Sequence, residues 1–155
     1  MIKEVQNLSH NIAKYLSRRY ANAHTNFGYA SHYLSDPGIP FHSTGATDYL
    51  GGFVVALFNA ALHISYESYV ADEWTSGYDY SYYVTDNSQS NTVTDPAQAV
   101  KDNAEHSAQY YSYITNEMTT NPTGWKTDMM LAYYTAQCVQ ETSKYNHGLY
   151  DYIMS

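Results

Sequence analysis

Apolar residues recur at steps of three and four along almost the whole chain, and no other feature limits its fold as strongly. Ile2, Val5, Leu8, Ile12, Leu16, Tyr20, Ala23, Phe27, Ala30 and Leu34 follow that spacing, which gathers side chains on one helix face. It predicts one long first helix, with Gly28 as a point of interruption and Asp36-Pro37-Gly38-Ile39-Pro40 as the stop. A second helix is expected from Thr44 or Thr47 to about Glu73. Its Leu50, Phe53, Val54, Val55, Leu57, Phe58, Leu62 and Ile64 point in all directions, the pattern of a helix at the centre of a core. The Gly51-Gly52 pair would allow a neighbouring helix to approach closely, at some cost in propensity.

The third helix has the clearest start. Asp95 is a natural N-cap, Pro96 suits the first helical position, and Gln98 can close a capping box. A stripe from Ala97 through Val100, Ala104, Ala108, Tyr111 and Ile114 to Met118 runs up to Asn121-Pro122. The fourth helix is expected from Thr123 or Gly124, with Trp125, Met129, Ala132, Ala136, Val139 and Ser143 facing inward and Gly148 as its stop. Residues 149–153 would then fold back on the bundle. Between the second and third helices, over about residues 76–94, Tyr78, Tyr80 and Tyr82 alternate with Asp79 and Ser81 before Asp86-Asn87-Ser88. Alternation followed by turn residues predicts an irregular or small β-hairpin insertion that returns through Thr92 and Val93. The expected fold is all-α: a four-helix bundle-like single domain spanning residues 1–155, long enough to bury roughly 70% of its unfolded surface.

Charge sets the functional reading. No Lys or Arg occurs between Arg19 and Lys101, a stretch holding Asp36, Asp48, Glu67, Asp72, Glu73, Asp79, Asp86 and Asp95. Those eight acids equal the formal net charge of −8, and the rest of the chain balances. A one-signed field repels nucleic acid and anionic lipid and attracts basic surfaces. Within it, Tyr66, Glu67, Tyr69, Asp72, Glu73, Trp74, Tyr78, Asp79, Tyr80, Tyr82, Tyr83 and Asp86 form an acidic, aromatic run. Tyr offers rigid amphipathic contact area, and carboxylates accept paired hydrogen bonds from Arg. This run is therefore the expected partner-binding face.

The leading expectation is a protein-binding protein that covers the basic surface of a nucleic acid-handling enzyme. By analogy of type, this suits a phage-type inhibitor of a CRISPR or restriction nuclease; strict mimicry of DNA would ask for denser acids. The N-terminal MIKEVQNLSH lacks the apolar core of a signal peptide. The run from Phe53 to Ile64 is too short and polar for a bilayer, which needs ~20 apolar residues. A cytoplasmic location, of a bacterial or infected cell, is expected, with no membrane or direct nucleic acid binding and a homodimer as an option. The single Cys138 excludes an intramolecular disulfide and fits a buried, inert thiol.

Enzyme alternatives rest on basic and imidazole side chains. Arg19-Tyr20-Ala21-Asn22-Ala23-His24 resembles the Arg-x4-His active-site motif of the HEPN family, whose helical bundles cut RNA. The resemblance covers six residues, with Tyr20 where a small polar residue normally follows the Arg. It implies that Arg19 holds a scissile phosphate and His24 acts as general acid or base. The plainer expectation leaves Arg18 and Arg19 solvated and His24 half-buried. His63 and Glu67 share a helix face at i, i+4, and a three-ligand site between helices would draw on His24, His32, His63 or His106. That is the basis of a His-based metal hydrolase. No Glu-x-x-His, His-Glu-x-x-His, P-loop or Gly-x-Ser-x-Gly occurs, so no motif calls for a cofactor. A subunit that self-assembles through Tyr-rich surfaces is the remaining alternative.

Overall fold

The computed structural model describes residues 2–44, 53–85 and 89–155. Among them are six α-helices and no β-strand: α1 (Ile2–Ser35), α2 (Pro40–Ser43), α3 (Phe53–Asp72), α4 (Tyr82–Thr85), α5 (Pro96–Thr120) and α6 (Met129–Met154). Single 3-10 turns occupy Asp36–Gly38 and Trp125–Thr127. The all-α expectation holds. The four expected helices become six because two of the connections, after α1 and after α3, are themselves helical. The Gly51-Gly52 pair, Leu50 and the expected start at Thr47 lie outside the described residues, and Thr44, the other expected start, instead closes α2.

No hairpin insertion is present among the described residues, and the expected Asp86-Asn87-Ser88 turn lies outside them. The Tyr78–Tyr83 alternation fails to form a strand because the chain reverses within it, at Gly77 and Asp79, both with φ of 57°. Only glycine adopts that backbone freely. The reversed segment folds back on the end of α3, where Tyr80 N–H donates to Glu73 O at 3.2 Å and Ser81 N–H to Trp74 O at 2.8 Å. Glu73 also accepts from Tyr78 N–H through its side chain at 2.7 Å. Tyr80 thereby enters the core completely, and α4 follows. The opposite arm does not pair with it: Val93 packs with Leu34, Ala99 and Leu149.

Helix ends follow cap chemistry. The Asp95 carboxylate accepts from Ala97 N–H at 2.9 Å and Gln98 N–H at 3.4 Å at the start of α5. The Gln98 amide bonds Asp102 at 2.7 Å instead of reaching back to the cap, so the capping box is only half made. α6 starts at Met129, later than Thr123, because Trp125–Thr127 is a 3-10 turn and Asp128 supplies the cap to Leu131 N–H at 2.7 Å. α1 continues through Gly28, and Gly148 does not stop α6. Gly148 is instead where the 89–93 segment presses on the helix, since a Cβ there would overlap the Asn91 carbonyl oxygen. Residues 149–153 accordingly extend the helix rather than folding back.

The main core joins α2, α3, α5, α6 and the turns through Phe41, Tyr66, Tyr69, Tyr80, Ile114, Met118, Trp125, Leu131 and Ala136. α3 is not buried all round: Val54, Leu57, Phe58 and Ile64 are 77%, 61%, 54% and 64% exposed. Its inward positions are the polar-tipped Tyr66 and Tyr69, an assignment that the all-round apolar pattern could not make. A polar pin fixes the corner after α1. Buried Asn103 donates to Leu34 O at 2.9 Å and accepts from Thr142 Oγ1 at 3.1 Å, and Ser107 Oγ donates to Pro37 O at 2.5 Å. Phe41, fully buried, then anchors α2 against His63, Tyr66 and Tyr111, with ring centroids 5.3–5.6 Å away.

Candidate metal site

The pinned corner places a histidine over α3. Because α2 begins at Pro40 and buries Phe41, the next side chain, His42, faces the α3 turn that carries His63 and Glu67. The two imidazole rings meet edge to face with centroids 4.5 Å apart. His63 Nε2 lies 2.9 Å and His42 Nε2 3.3 Å from the same carboxylate oxygen, Glu67 Oε1. One donor atom from each residue falls within 4.8 Å of the others. Tetrahedral zinc, with bonds of about 2.0–2.2 Å, needs ligand atoms about 3.3 Å apart, so small side-chain rotations converge the three.

The other side of His42 makes the arrangement specific. Its Nδ1 lies 3.3 Å from Asp36 Oδ2. A neutral imidazole has one N–H, so it can donate to only one of the two carboxylates that flank it. An imidazolium would donate to both carboxylates; a divalent cation held by His42 Nε2, His63 and Glu67 would equally satisfy the ring, with Nδ1–H left to donate to Asp36. A carboxylate that orients a ligating histidine through its far nitrogen is the usual outer support of metal sites. Two imidazoles and one carboxylate suit zinc with an open fourth position, and the same donors hold non-haem iron(II).

Glu67 also reaches a second feature. It lines a cavity of about 790 Å³ between α2, α3, α4 and α6, whose walls include Pro40, Val70, Trp74, Val84, Cys138 and Val139. His42 and His63 are not in that lining, so the cluster sits at one edge of the cavity with Glu67 facing both. Burial pushes the Cys138 thiol up to about 12, in keeping with an unreactive wall residue.

The expected acidic aromatic face is divided by the fold. Tyr66, Tyr69 and Tyr80 are core residues, 2%, 2% and 0% exposed. Their hydroxyls are bonded internally: Tyr69 to Tyr80 at 2.9 Å, and Tyr66 donating to Thr135 Oγ1 at 3.0 Å. Burial raises all three phenols above the ordinary value. Tyr78 and Tyr83 stack on each other at the core's edge, with centroids 5.9 Å apart, and burial raises Tyr78 to about 12. Glu73 serves the turn, Glu67 the histidine cluster, and Asp79 accepts from Ser81 Oγ at 2.6 Å. Asp72, Trp74 and Tyr82 are exposed. Asp86 lies outside the described residues.

Of the histidines singled out by sequence, His63 alone joins the cluster. His24 and His32 are exposed on α1, and His106 lies on α5 with its Nε2 buried and unbonded. Arg19 and His24 are both exposed, and five helical residues put them about 140° apart around the axis. His42 and Asp36 were invisible to helix periodicity, because the sequence around them reads only as a breaker. The one available signal was Pro40, a helix-starting residue two positions before a histidine. No helix among the described residues is long and apolar enough to cross a membrane. Comparison with family models, with curated proteins and with solved structures finds no match.

Proposed function

We propose that this chain is a small helical-bundle metalloenzyme, a hydrolase that holds a divalent ion on His42, His63 and Glu67. The observation that carries the reading is the convergence of two Nε2 atoms on one Glu67 oxygen while Asp36 occupies the far nitrogen of His42. Held by His42, His63 and Glu67, the ion would supply an activated water and polarise a carbonyl, the chemistry of ester or amide hydrolysis, while Asp36 would hold His42 in place through Nδ1. A tag-free, chelator-stripped chain titrated with zinc in a calorimeter tests the reading. One zinc per chain is expected, with binding abolished by His42→Ala or His63→Ala and hydrolysis of esters or amides returning only with metal. Absence of stoichiometric uptake of zinc or iron(II) at micromolar protein would remove the proposal; iron(II) uptake without zinc uptake would move it from hydrolysis to oxidative chemistry.

A second reading draws on Asp72, Trp74, Asp79 and Tyr82, which are all exposed at and beyond the end of α3. Carboxylates and rings presented together suit a basic protein surface, such as that of a nucleic acid-handling enzyme under inhibition. Its test is capture of one basic protein by the wild-type chain and loss of that capture in the Asp72→Lys, Asp79→Lys double variant.

A further inference from the structure

We infer that the cavity beside Glu67 is a binding site for an uncharged, predominantly apolar acyl compound, an ester or amide whose carbonyl lies at the Glu67 end. The inference rests on the metal-site reading for the position of the carbonyl, but not for the apolar ligand itself.

Volume, wall chemistry and charge carry the argument. About 790 Å³ falls in the range of sites that enclose drug-sized ligands, about 300–1,000 Å³. Ile39, Pro40, Val70, Ala71, Val84 and Val139 supply an aliphatic wall, with Trp74 beside them. The polar residues of the lining are largely engaged with one another. Tyr66 donates to Thr135, Thr135 to Leu131 O, and Thr142 to Asn103. Asn146 donates to Ser35 Oγ at 2.8 Å and to Thr142 O at 3.2 Å, while its Oδ1 is buried without a partner and is the one acceptor left open in that wall. A ligand therefore meets mainly hydrocarbon along the length of the cavity. No Lys or Arg lines it; Glu67 does at one end, and the exposed His147 does on the α6 side, away from the histidine cluster. A fatty carboxylate seated with its head at the Glu67 end would be desolvated against a like charge with no lysine or arginine to receive it, which is costly. A neutral chain meets no such penalty, and its one polar group is met where Glu67 joins the two histidines.

The test uses the full chain, first stripped of metal, and N-phenyl-1-naphthylamine, an uncharged apolar fluorophore. Saturable binding at one site is expected, with displacement by decanol and not by decanoate. Ala71→Trp and Val139→Trp, each checked for retained helical circular dichroism, fill the cavity from its rim and its wall, and each should weaken the probe by at least about tenfold. His24→Ala, at a position exposed on α1 and outside the lining, should bind the probe as the wild type does. Adding zinc to the wild type should tighten competition by octanohydroxamic acid, a neutral apolar chelator, by at least about tenfold. Probe binding in a chain that takes up no zinc would sink the metal reading and leave an apolar-ligand site standing. The inference is overturned if the metal-free wild type binds no probe saturably, if decanoate displaces it as well as decanol does, or if both tryptophan variants bind it unchanged.

Discussion

Replacing Asp36 by Asn separates a metal site from a group of hydrogen-bonded side chains. Asp36 touches no ion in the proposed site; it holds His42 by Nδ1 at 3.3 Å. Its side chain is 47% exposed, so the substitution should leave the metal-free melting temperature nearly unchanged. Loss of such an outer carboxylate weakens metal binding by about 10–100-fold. With zinc at a hundred times the wild-type Kd, binding stabilises the native chain by about 2.7 kcal/mol. At about 2–4 °C per kcal/mol for a chain of this size, the wild type should melt about 5–11 °C higher with zinc than without. The variant at the same zinc concentration is left with about 1.4 kcal/mol if Kd rises tenfold, or about 0.4 kcal/mol if it rises a hundredfold. Its shift should therefore fall to about 3–6 °C or about 1–2 °C. Differential scanning calorimetry with and without zinc reads this directly. A full wild-type shift in Asp36→Asn, or an equal shift in His63→Ala, would refute the assignment of Asp36, His42, His63 and Glu67 to one metal centre.

Three further outcomes test the fold around that centre. Tyr80→Ala should cost about 3–5 kcal/mol in urea unfolding, as removal of a fully buried ring does, whereas Tyr82→Ala, with its ring 55% exposed, should fall within about 0.5 kcal/mol of wild type. Leu57→Lys and Phe58→Lys should be near-neutral in the same assay, within about 0.5 kcal/mol, because both side chains are exposed on α3; a loss of several kcal/mol would restore the buried-helix expectation. Alkaline unfolding follows from groups raised in the folded state, Tyr78 and Cys138 both to about 12. The unfolded chain releases those protons first, near pH 10 for a phenol and about 8.5 for a thiol, so their contribution is intact below about pH 8.5 and is lost as pH rises through about 12. Phenolate absorbance of the buried tyrosines should appear together with the loss of helical circular dichroism.

What was legible in the sequence, and what was not, follows from the range of the interactions involved. Helix existence and type are local matters, and the Asp95-Pro96 start and the helical character of α1, α5 and α6 could be read from them; the inward faces could not be read fully, since Tyr20, Ala97 and Met129 are exposed while Asn103 and Ser107 are buried. The 76–94 segment misled because alternating tyrosines satisfy a strand pattern until two consecutive-but-one residues take positive φ, and only Gly77 hints at that. α3 misled in the opposite way. A helix apolar on every side carries no direction, and the residues that turn inward are Tyr66 and Tyr69, whose hydroxyls find buried partners far off in sequence or across the turn. The His42, His63 and Glu67 cluster divides along the same line. His63 and Glu67 are one helical turn apart and were read as sharing a face. His42 joins them across 21 residues through a corner pinned by Asn103 and Ser107 on a different helix, a relation that no local pattern expresses.

The cation-free stretch between Arg19 and Lys101 has two physical meanings, and one pair of substitutions tells them apart. All four residues of the proposed metal centre lie within it, so its negative field attracts a divalent cation as well as a basic protein. The two attractions differ in reach. In physiological salt, exposed charges are screened beyond about 8 Å. Asp72 is five helical residues beyond Glu67, a rise of about 7.5 Å, and about 140° around the axis; Asp79 follows only after the reversed turn. Neither should contribute much to metal affinity, since ligand charge and Asp36 act at contact. A protein partner would instead sense the whole exposed rim, where charges set the encounter rate more than the lifetime. Asp72→Lys with Asp79→Lys should therefore leave zinc affinity within about twofold while slowing association with a basic partner and reducing its salt sensitivity. Asp36→Asn should do the reverse. A double reversal that weakens zinc tenfold in physiological salt would mean that the field of the stretch, and not the geometry of four side chains, holds the ion.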